Sequence, residues 1–242
     1  MKIAILADIH GNDLALKTVL KDTLNFDISS FFVLGDNIGY YYWPKECLEL
    51  LSKLPRLEMI QGNHEKMLSL ALNDVIYRDT IKKKYGHGIE NAINNLSNKE
   101  INYLTSLPLK KELNIDGKKI LLCHGSPDSN EEYIYPDTPP EILRKATSCD
   151  FDYIFLGHSH YPFVYHDNNK VLLNPGSVGQ PRDIGSLASY VIFDTQNNTL
   201  QFRRVSFSNE KIIKMINQID PSVKYLQTIL QRNINAGDEN EV

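Results

Sequence analysis

Short apolar runs rich in β-branched and aromatic residues alternate, through the first part of the chain, with longer stretches of helical period. Residues 3–7, 31–34, 57–60, 120–123, 153–156 and 171–173 read as strands. Each is a continuous apolar run of strand length bounded by turn residues, the pattern of a strand buried on both faces. Residues 13–24, 44–54 and 64–72 carry the 3.6-residue period and are predicted as helices between the first strands. Pro44 suits the first turn of its helix, where a missing backbone donor costs nothing. Alternation of this kind predicts an α/β sandwich.

The pattern changes twice. Residues 74–107 read as wholly helical, polar-amphipathic and rich in Asn and Lys. Ser97-Asn98-Lys99-Glu100 is a capping-box pattern opening a helix over 98–107, and Pro108 ends it. This insertion is expected to cover a site, to form an external helical layer, or to be mobile. After residue 150 the helices largely stop. Residues 163–166, 171–173, 188–193 and 199–207 read as antiparallel strands, with Asn168-Asn169 and Asn197-Asn198 as turn signals. Two closing helices are predicted over 209–218 and 221–232, and Gly237-Asp238-Glu239-Asn240-Glu241 is expected to fray. With no repeat, linker or low-complexity segment, one domain over residues 1–242 is the expectation.

Composition narrows the classes. In 242 residues, 42% are hydrophobic and 23% charged, which suits a globular protein, and no apolar run approaches the ~20 residues of a membrane span. The formal net charge is −4 without blocks of like charge. That argues against a general nucleic-acid or membrane-surface binder, though not against a small phosphorylated substrate. Cys47, Cys123 and Cys149 are scattered and odd in number, so a reducing compartment is expected, with Cys123 a small buried side chain. The N-terminus lacks a basic segment followed by an apolar core, so no signal peptide is expected and cytoplasmic localisation follows.

Chemistry enters where the apolar runs end. The first leads to Asp8-Ile9-His10-Gly11-Asn12. Taken alone, this pentapeptide is equally a metal-binding strand end, with Asp8 and His10 on one side by alternation, or a helix start capped by Asn12 or Asp13. The layout recurs. Later runs lead to Gly35-Asp36-Asn37, Gly62-Asn63-His64-Glu65, His124-Gly125-Ser126, Gly157-His158-Ser159-His160 and Asn174-Pro175-Gly176-Ser177. Open α/β folds bind ligands at the carboxyl edge of the sheet. Of seven histidines, five (His10, His64, His124, His158 and His160) stand at these ends. Random placement would scatter them, so the grouping points to a metal site. No nucleophile elbow, Walker loop or dinucleotide fingerprint is present; Ser126 and Ser177 read as turn residues.

The ordered set Asp-x-His, Gly-Asp, Gly-Asn-His-Glu, His-Gly, Gly-His-x-His resembles the calcineurin-like metallophosphoesterases from about residue 1 to 205. Gly39-Tyr40, Pro44, Glu46-Cys47 and the stretch from Asn174 through Gln180-Pro181-Arg182 look like the compact bacterial and archaeal phosphodiesterase-type branch. The resemblance implies a two-sheet βαββ-type sandwich flanked by helices, with a largely antiparallel C-terminal half. It implies two divalent metal ions, manganese first, with iron, zinc or nickel as alternatives. Asp8, His10 and His160 would hold one; Asn63, His124 and His158 the other; Asp36 would bridge. His64 would face the phosphoryl group as hydrogen-bond donor or general acid, and Glu65 or Asp13 would orient imidazoles. Four cationic charges less those of Asp8 and Asp36 leave a surplus of two, matching a hydroxide plus a phosphodiester monoanion.

The implied activity is phosphodiester, and also phosphomonoester, hydrolysis by a metal-bound hydroxide on a small phosphoester substrate such as a nucleotide. The alternatives are a dinucleoside polyphosphate hydrolase, a phosphomonoesterase, or a protein-binding scaffold similar to the retromer subunit of this fold. The oligomeric state is left open. The Asp-Arg-Gly of protein serine/threonine phosphatases is replaced by Gly39-Tyr40-Tyr41, which counts against that class. Arg182 is either a substitute phosphate contact or a solvated loop arginine. Tyr40-Tyr41-Tyr42-Trp43 either stacks on a base or packs as a rim.

Overall fold

A computed structural model describes residues 1–233; the stretch expected to fray lies outside them. In chain order the elements are β1 (Lys2–Leu6), α1 (Asp13–Thr23), β2 (Ile28–Val33), α2 (Pro44–Leu51), β3 (Leu57–Met59), α3 (Asn63–Asn73), α4 (Val75–Tyr85), α5 (Gly88–Asn95), α6 (Asn98–Ser106), β4 (Lys110–Ile115), β5 (Lys118–Cys123), α7 (Pro140–Thr147), β6 (Tyr153–Phe155), β7 (Pro162–Asp167), β8 (Lys170–Pro175), β9 (Leu187–Asp194), β10 (Thr199–Ser206), α8 (Glu210–Ile219) and α9 (Lys224–Gln231). They build two five-stranded sheets, ordered β10-β9-β1-β2-β3 and β4-β5-β6-β8-β7. Among the described residues no helix is long and apolar enough to cross a membrane.

The continuous apolar runs have a direct cause: their strands are covered on both faces. From β1, Ile3, Ile5 and Ala7 point between the sheets, where they meet Phe32 and Leu34, Ile120 and Leu122, Phe155 and Leu173. The alternate residues Ala4 and Leu6 point outward onto Leu16 and Val19 of α1, Ile212 and Ile216 of α8 and Leu226 of α9. The outer face of the second sheet is covered in the same way by α7, through Leu143 and Ala146 against Leu121, Cys123, Ile154 and Leu172. Cys123 is a buried side chain in that layer, as its run implied.

Strands β1, β2 and β3 are mutually parallel, as are β5, β6 and β8. Within each sheet the carboxyl ends therefore share one edge. The two edges are sewn together there: Val178 N–H donates to Ala7 O (3.0 Å) and Gly179 N–H to Asp8 O (3.0 Å). The hairpin β7–β8 and the pairs β9–β10 and β1–β9 are antiparallel, as expected of the C-terminal half, but β8 also lies parallel to β6.

Residues 74–107 form a packed helical layer. Leu68 and Ala71 of α3, Ile81 of α4, Ile89 and Ala92 of α5 and Ile101 and Leu104 of α6 make a separate core with Ile38 and Leu48. The turn between α4 and α5 is pinned to the C-terminal helices by Asp220, whose carboxylate faces His87 Nδ1 (2.6 Å) and accepts from His87 N–H (3.0 Å) and Tyr42 O–H (2.8 Å). The Ser97/Glu100 capping box and Pro44 at the first turn of α2 are present as predicted.

Two elements escaped the sequence reading. Strand β4 (Lys-Lys-Glu-Leu-Asn-Ile) is an edge strand with Lys110, Glu112 and Asn114 on its exposed face and Lys111 paired with Glu58 on the other, so it carries no apolar run. Helix α7 follows Pro139-Pro140, which reads as a break although Pro140 sits harmlessly in its first turn.

Candidate metal centre

All seven residues anticipated as metal ligands lie at the joined sheet edge. Two clusters of buried ligand atoms form, Asp8, His10, Asp36 and His160 in one and Asp36, His124 and His158 in the other, each spanning no more than 4.8 Å. Asp36 belongs to both. Its Oδ2 lies 3.7 Å from His10 Nε2 and 3.3 Å from His124 Nε2. Asn63, at the start of α3, presents its Oδ1 3.1 Å from His124 Nε2.

The convergence of Asp8 and His10 does not come from strand alternation. Strand β1 stops at Leu6, and both residues adopt left-handed backbone (φ 54° and 51°) in the following loop. Asp36, His158 and His160 do the same (φ 53°, 67° and 65°). Such conformations cost roughly 1–3 kcal/mol each for a non-glycine residue and persist where surrounding contacts impose them. Those contacts are visible. His10 N–H donates to Asp36 O (2.9 Å), and His158 N–H donates to the Asp8 carboxylate (3.1 Å). Asn12 Oδ1 caps α1 through Ala15 N–H (3.1 Å), as the helix-start reading of the opening pentapeptide expected, while Asp8 and His10 of the same loop stand among the clustered ligand-type atoms.

Glycine makes the loop crossings physically feasible. A Cβ on Gly35, itself at φ +88°, would stand 2.6 Å from Gly62 N, and one on Gly62 would collide with the Asp36 carboxylate. Glu65 locks the same crossing. Its fully buried carboxylate accepts from Asp36 N–H (3.0 Å), Asn37 N–H (2.7 Å) and Gly62 N–H (2.8 Å). The anticipated carboxylate–imidazole contact is therefore corrected: Glu65 holds the backbone of two ligand loops, and Asp13 pairs with Lys17. The imidazoles are oriented by carbonyls instead. Nδ1 of His10 faces Ile38 O (3.2 Å), that of His124 faces Leu34 O (2.6 Å), and that of His160 faces Gln180 O (2.6 Å).

This orientation tests whether a cation fits. A nitrogen that faces a carbonyl carries the proton, so the opposite nitrogen carries a lone pair. His10 Nε2 and His160 Nε2 then face each other at 3.0 Å, lone pair to lone pair. His158 Nε2 is buried with no partner among the described residues. Such an arrangement is repulsive in itself and is relieved by a cation placed between the nitrogens. Oxygen and imidazole donors without thiolate suit manganese, iron, zinc or nickel.

The electrostatics agree. Burial keeps His10 and His160 well below the usual imidazole range and brings His158 down to about 3, which favours the neutral imidazole that a cation requires. Burial is the largest single influence on Asp36 and on His124 and opposes charge on both, but the contacts around each together outweigh it. Asp36, aided by His124, His64 and His10, stays well below the carboxylate range, and His124 is carried up to about 9 by Asp36, Asp8 and the Leu34 carbonyl. Burial, with Asp36 nearby, lifts Asp8 to about 8. In the metal-free protein a proton on His124 thus occupies the place of a cation. Metal addition at 100 times its Kd is expected to stabilise by about 2.7 kcal/mol, raising the thermal midpoint by roughly 5–11 °C. Below about pH 9 the cation competes with the His124 proton, so this upshift grows as pH rises toward that value. Thermal scans with manganese or chelator across pH check both; a pH-independent midpoint, unmoved by metal, contradicts the site.

Beside the clusters, His64 Nε2 lies 3.9 Å from Asp36 Oδ2 without belonging to either ligand group, and burial lowers its basicity. Arg182 is partly buried rather than solvated. Its guanidinium helps to lower Asp8, His10, His64, His158 and His160, and its Nε is buried without a partner among the described residues. Tyr40-Tyr41-Tyr42 pack as the rim alternative foresaw, all three buried, with only Tyr40 against site rings. Ser126 and Ser177 serve their loops: Ser177 Oγ donates to Asp8 O (2.7 Å) and Ser126 Oγ accepts from Ser129 N–H (3.0 Å).

The family profile described as the calcineurin-like phosphoesterase superfamily domain matches residues 1–198. The chain belongs to the calcineurin-like phosphoesterase superfamily. It is 37% identical over 236 residues to an uncharacterized protein of Methanocaldococcus jannaschii, covering 88% of this chain and 92% of that one. The crystal structure of a metallophosphoesterase from Sphaerobacter thermophilus superposes with a TM-score of 0.75 at 28% identity, over 95% of this chain and 98% of that one. A hypothetical protein from Pyrococcus horikoshii shares the fold at a TM-score of 0.86 and 21% identity, over 97% and 99% of the two chains. The superfamily is one of phosphoesterases, and the clustered Asp and His side chains have the donor chemistry for divalent metal.

Outside the anticipated set, the structure brings Tyr85, Tyr133, Tyr135 and Tyr225 to the centre. They are distant in sequence and follow no local pattern; the only signal was that Tyr133-Ile134-Tyr135 follows a ligand loop.

Proposed function

We propose that this phosphoesterase is dinuclear and prefers phosphodiesters. The observation that carries the reading is the Asp36 carboxylate facing two imidazole clusters at once, with the free nitrogens of each turned inward. A pair of divalent cations, when bound, would supply hydroxide chemistry at neutral pH and charge neutralisation at the phosphoryl group. Asp8, His10 and His160 would hold one cation, Asn63, His124 and His158 the other, and Asp36 both.

The remaining residues bind and orient. His64, neutral because buried, donates an N–H to a phosphoryl or leaving-group oxygen. Arg182 holds an equatorial phosphoryl oxygen. Glu65 keeps the Asp36 and Asn63 loops in register without touching substrate. The buried walls exclude water, which strengthens each of these interactions.

Arg182 also supports a second reading. Its positive charge raises the cationic surplus to three, which suits a phosphomonoester dianion beside a hydroxide. Turnover of bis(4-nitrophenyl) phosphate against 4-nitrophenyl phosphate, with manganese, nickel, zinc or iron, separates the two. Manganese-dependent turnover with a higher kcat/KM for the diester is the expected result. A monoester preference overturns the diester assignment. No turnover of either ester with metal bound overturns the phosphodiesterase reading and favours the scaffold alternative.

A further inference from the structure

The phosphoesterase reading leaves the organic part of the substrate open, and the tyrosines around the metal centre bear on it. The chain has 13 tyrosines, and those nearest the metal centre come from separate elements. Tyr40, between β2 and α2, lies 4.6 Å from the His10 ring and 4.9 Å from that of His64. Tyr85, at the end of α4, lies 5.8 Å from His64 and 5.9 Å from Tyr40. Tyr225 of α9 reaches Tyr40 at 6.1 Å. Across the centre, Tyr133 stacks on His158 at 3.9 Å and 25°, and Tyr135 lies parallel to it at 5.6 Å and 4°.

Their exposure separates wall from contact surface. Tyr40 is 5% exposed and serves as wall. Tyr133 and Tyr225 are 45% and 40% exposed, although each is packed against other site rings. Partly exposed aromatic rings beside a polar, charged centre are the arrangement that receives a flat ring while its phosphoryl group is held at the centre. Arg182 stands among them. After the cost of its burial, Tyr225, Tyr40 and Tyr133 are the side chains that act most strongly on its charge. The net charge of −4 disfavours a polymeric phosphate backbone and leaves a small ester.

We infer that the site selects phosphoesters whose organic group carries a flat aromatic ring, a nucleobase or an aryl group, packed against the exposed ring surface of Tyr133 and Tyr225. The inference rests on the phosphoesterase reading for the placement of the phosphoryl group, but its test needs no turnover.

Calorimetric Kd values of adenosine 5′-phosphate, phenyl phosphate and ribose 5-phosphate for the manganese-loaded protein make the comparison. The two aromatic phosphates are expected to bind about 5–150-fold more tightly than ribose 5-phosphate, the range for one stacked base. Tighter binding of the adenosine ester than of the phenyl ester assigns the ring to a nucleobase, and the reverse order to an aryl group. Tyr133→Leu combined with Tyr225→Leu brings the ratio close to one, while Tyr133→Phe with Tyr225→Phe preserves it. Equal affinity for all three, no binding of any at millimolar concentration, or a preference that survives the double leucine variant overturns the inference. Aromatic preference without hydrolysis of any ester would sink the enzyme reading and leave this one standing.

Discussion

Replacing Asp36 with alanine is expected to reduce bound metal from two ions per chain to one at most, and to lower turnover by more than about a thousandfold, roughly 4 kcal/mol of barrier. Asp36 Oδ2 faces nitrogens of both clusters, at 3.7 Å from His10 Nε2 and 3.3 Å from His124 Nε2, and Asp36 belongs to both groups, whereas Asp8 Oδ1 lies 3.6 Å from His160 Nε2 and 4.0 Å from His124 Nε2. Two dications ~3.5–4 Å apart repel by about 18 kcal/mol at an effective dielectric of 20. Without an anion between them the second is not retained. Asp36→Asn separates this effect from a folding defect, because an amide oxygen in the place of Oδ1 still accepts from His64 N–H, as the carboxylate does at 2.8 Å. It is expected to fold like the parent and to lose metal and activity together. Elemental analysis after gel filtration, paired with turnover of the nitrophenyl diester, reads both. Full metal content in Asp36→Ala would contradict its bridging role.

His64→Ala is expected to behave differently. Metal content should stay near two ions per chain while kcat falls by roughly 10²–10³, the usual worth of a preorganised hydrogen-bond donor. The side chain lies beside the clusters but belongs to neither, with Nε2 3.9 Å from Asp36 Oδ2 and against the Tyr40 ring. Its loss removes a donor aimed at substrate and leaves every anticipated ligand in place. The same analysis applied to both variants gives the contrast. Equal metal loss in Asp36→Ala and His64→Ala would make His64 a ligand.

The strand ends were legible because a strand covered on both faces must be apolar throughout, so the first polar residue beyond it marks the sheet edge. The grouping of five histidines at those ends then disclosed the centre. What brings the ends together was not legible. Asp8 and His10 converge through left-handed backbone imposed by partners over 25 residues away in sequence, and the two sheet edges are joined by Val178 and Gly179. A buried Glu that clamps three backbone N–H groups reads, in sequence, like any capping glutamate, so the role of Glu65 was misassigned to an imidazole. The aromatic surroundings stayed hidden for a related reason. Tyr85, Tyr133 and Tyr225 share no local motif; Tyr85 and Tyr225 both reach Tyr40, on elements that Asp220 ties together, and Tyr133 reaches His158 from a separate loop. Strand β4 was missed because an edge strand satisfies its outer face with lysine and glutamate and needs no apolar run.

The central claim, that loops from both sheets build one pocket for a pair of cations, is tested most directly by anomalous diffraction from crystals soaked in manganese. The account predicts two peaks on either side of the Asp36 carboxylate, one near His10 and His160 and the other near His124, His158 and Asn63. A single peak, or density at any other cluster of the molecule, would contradict it.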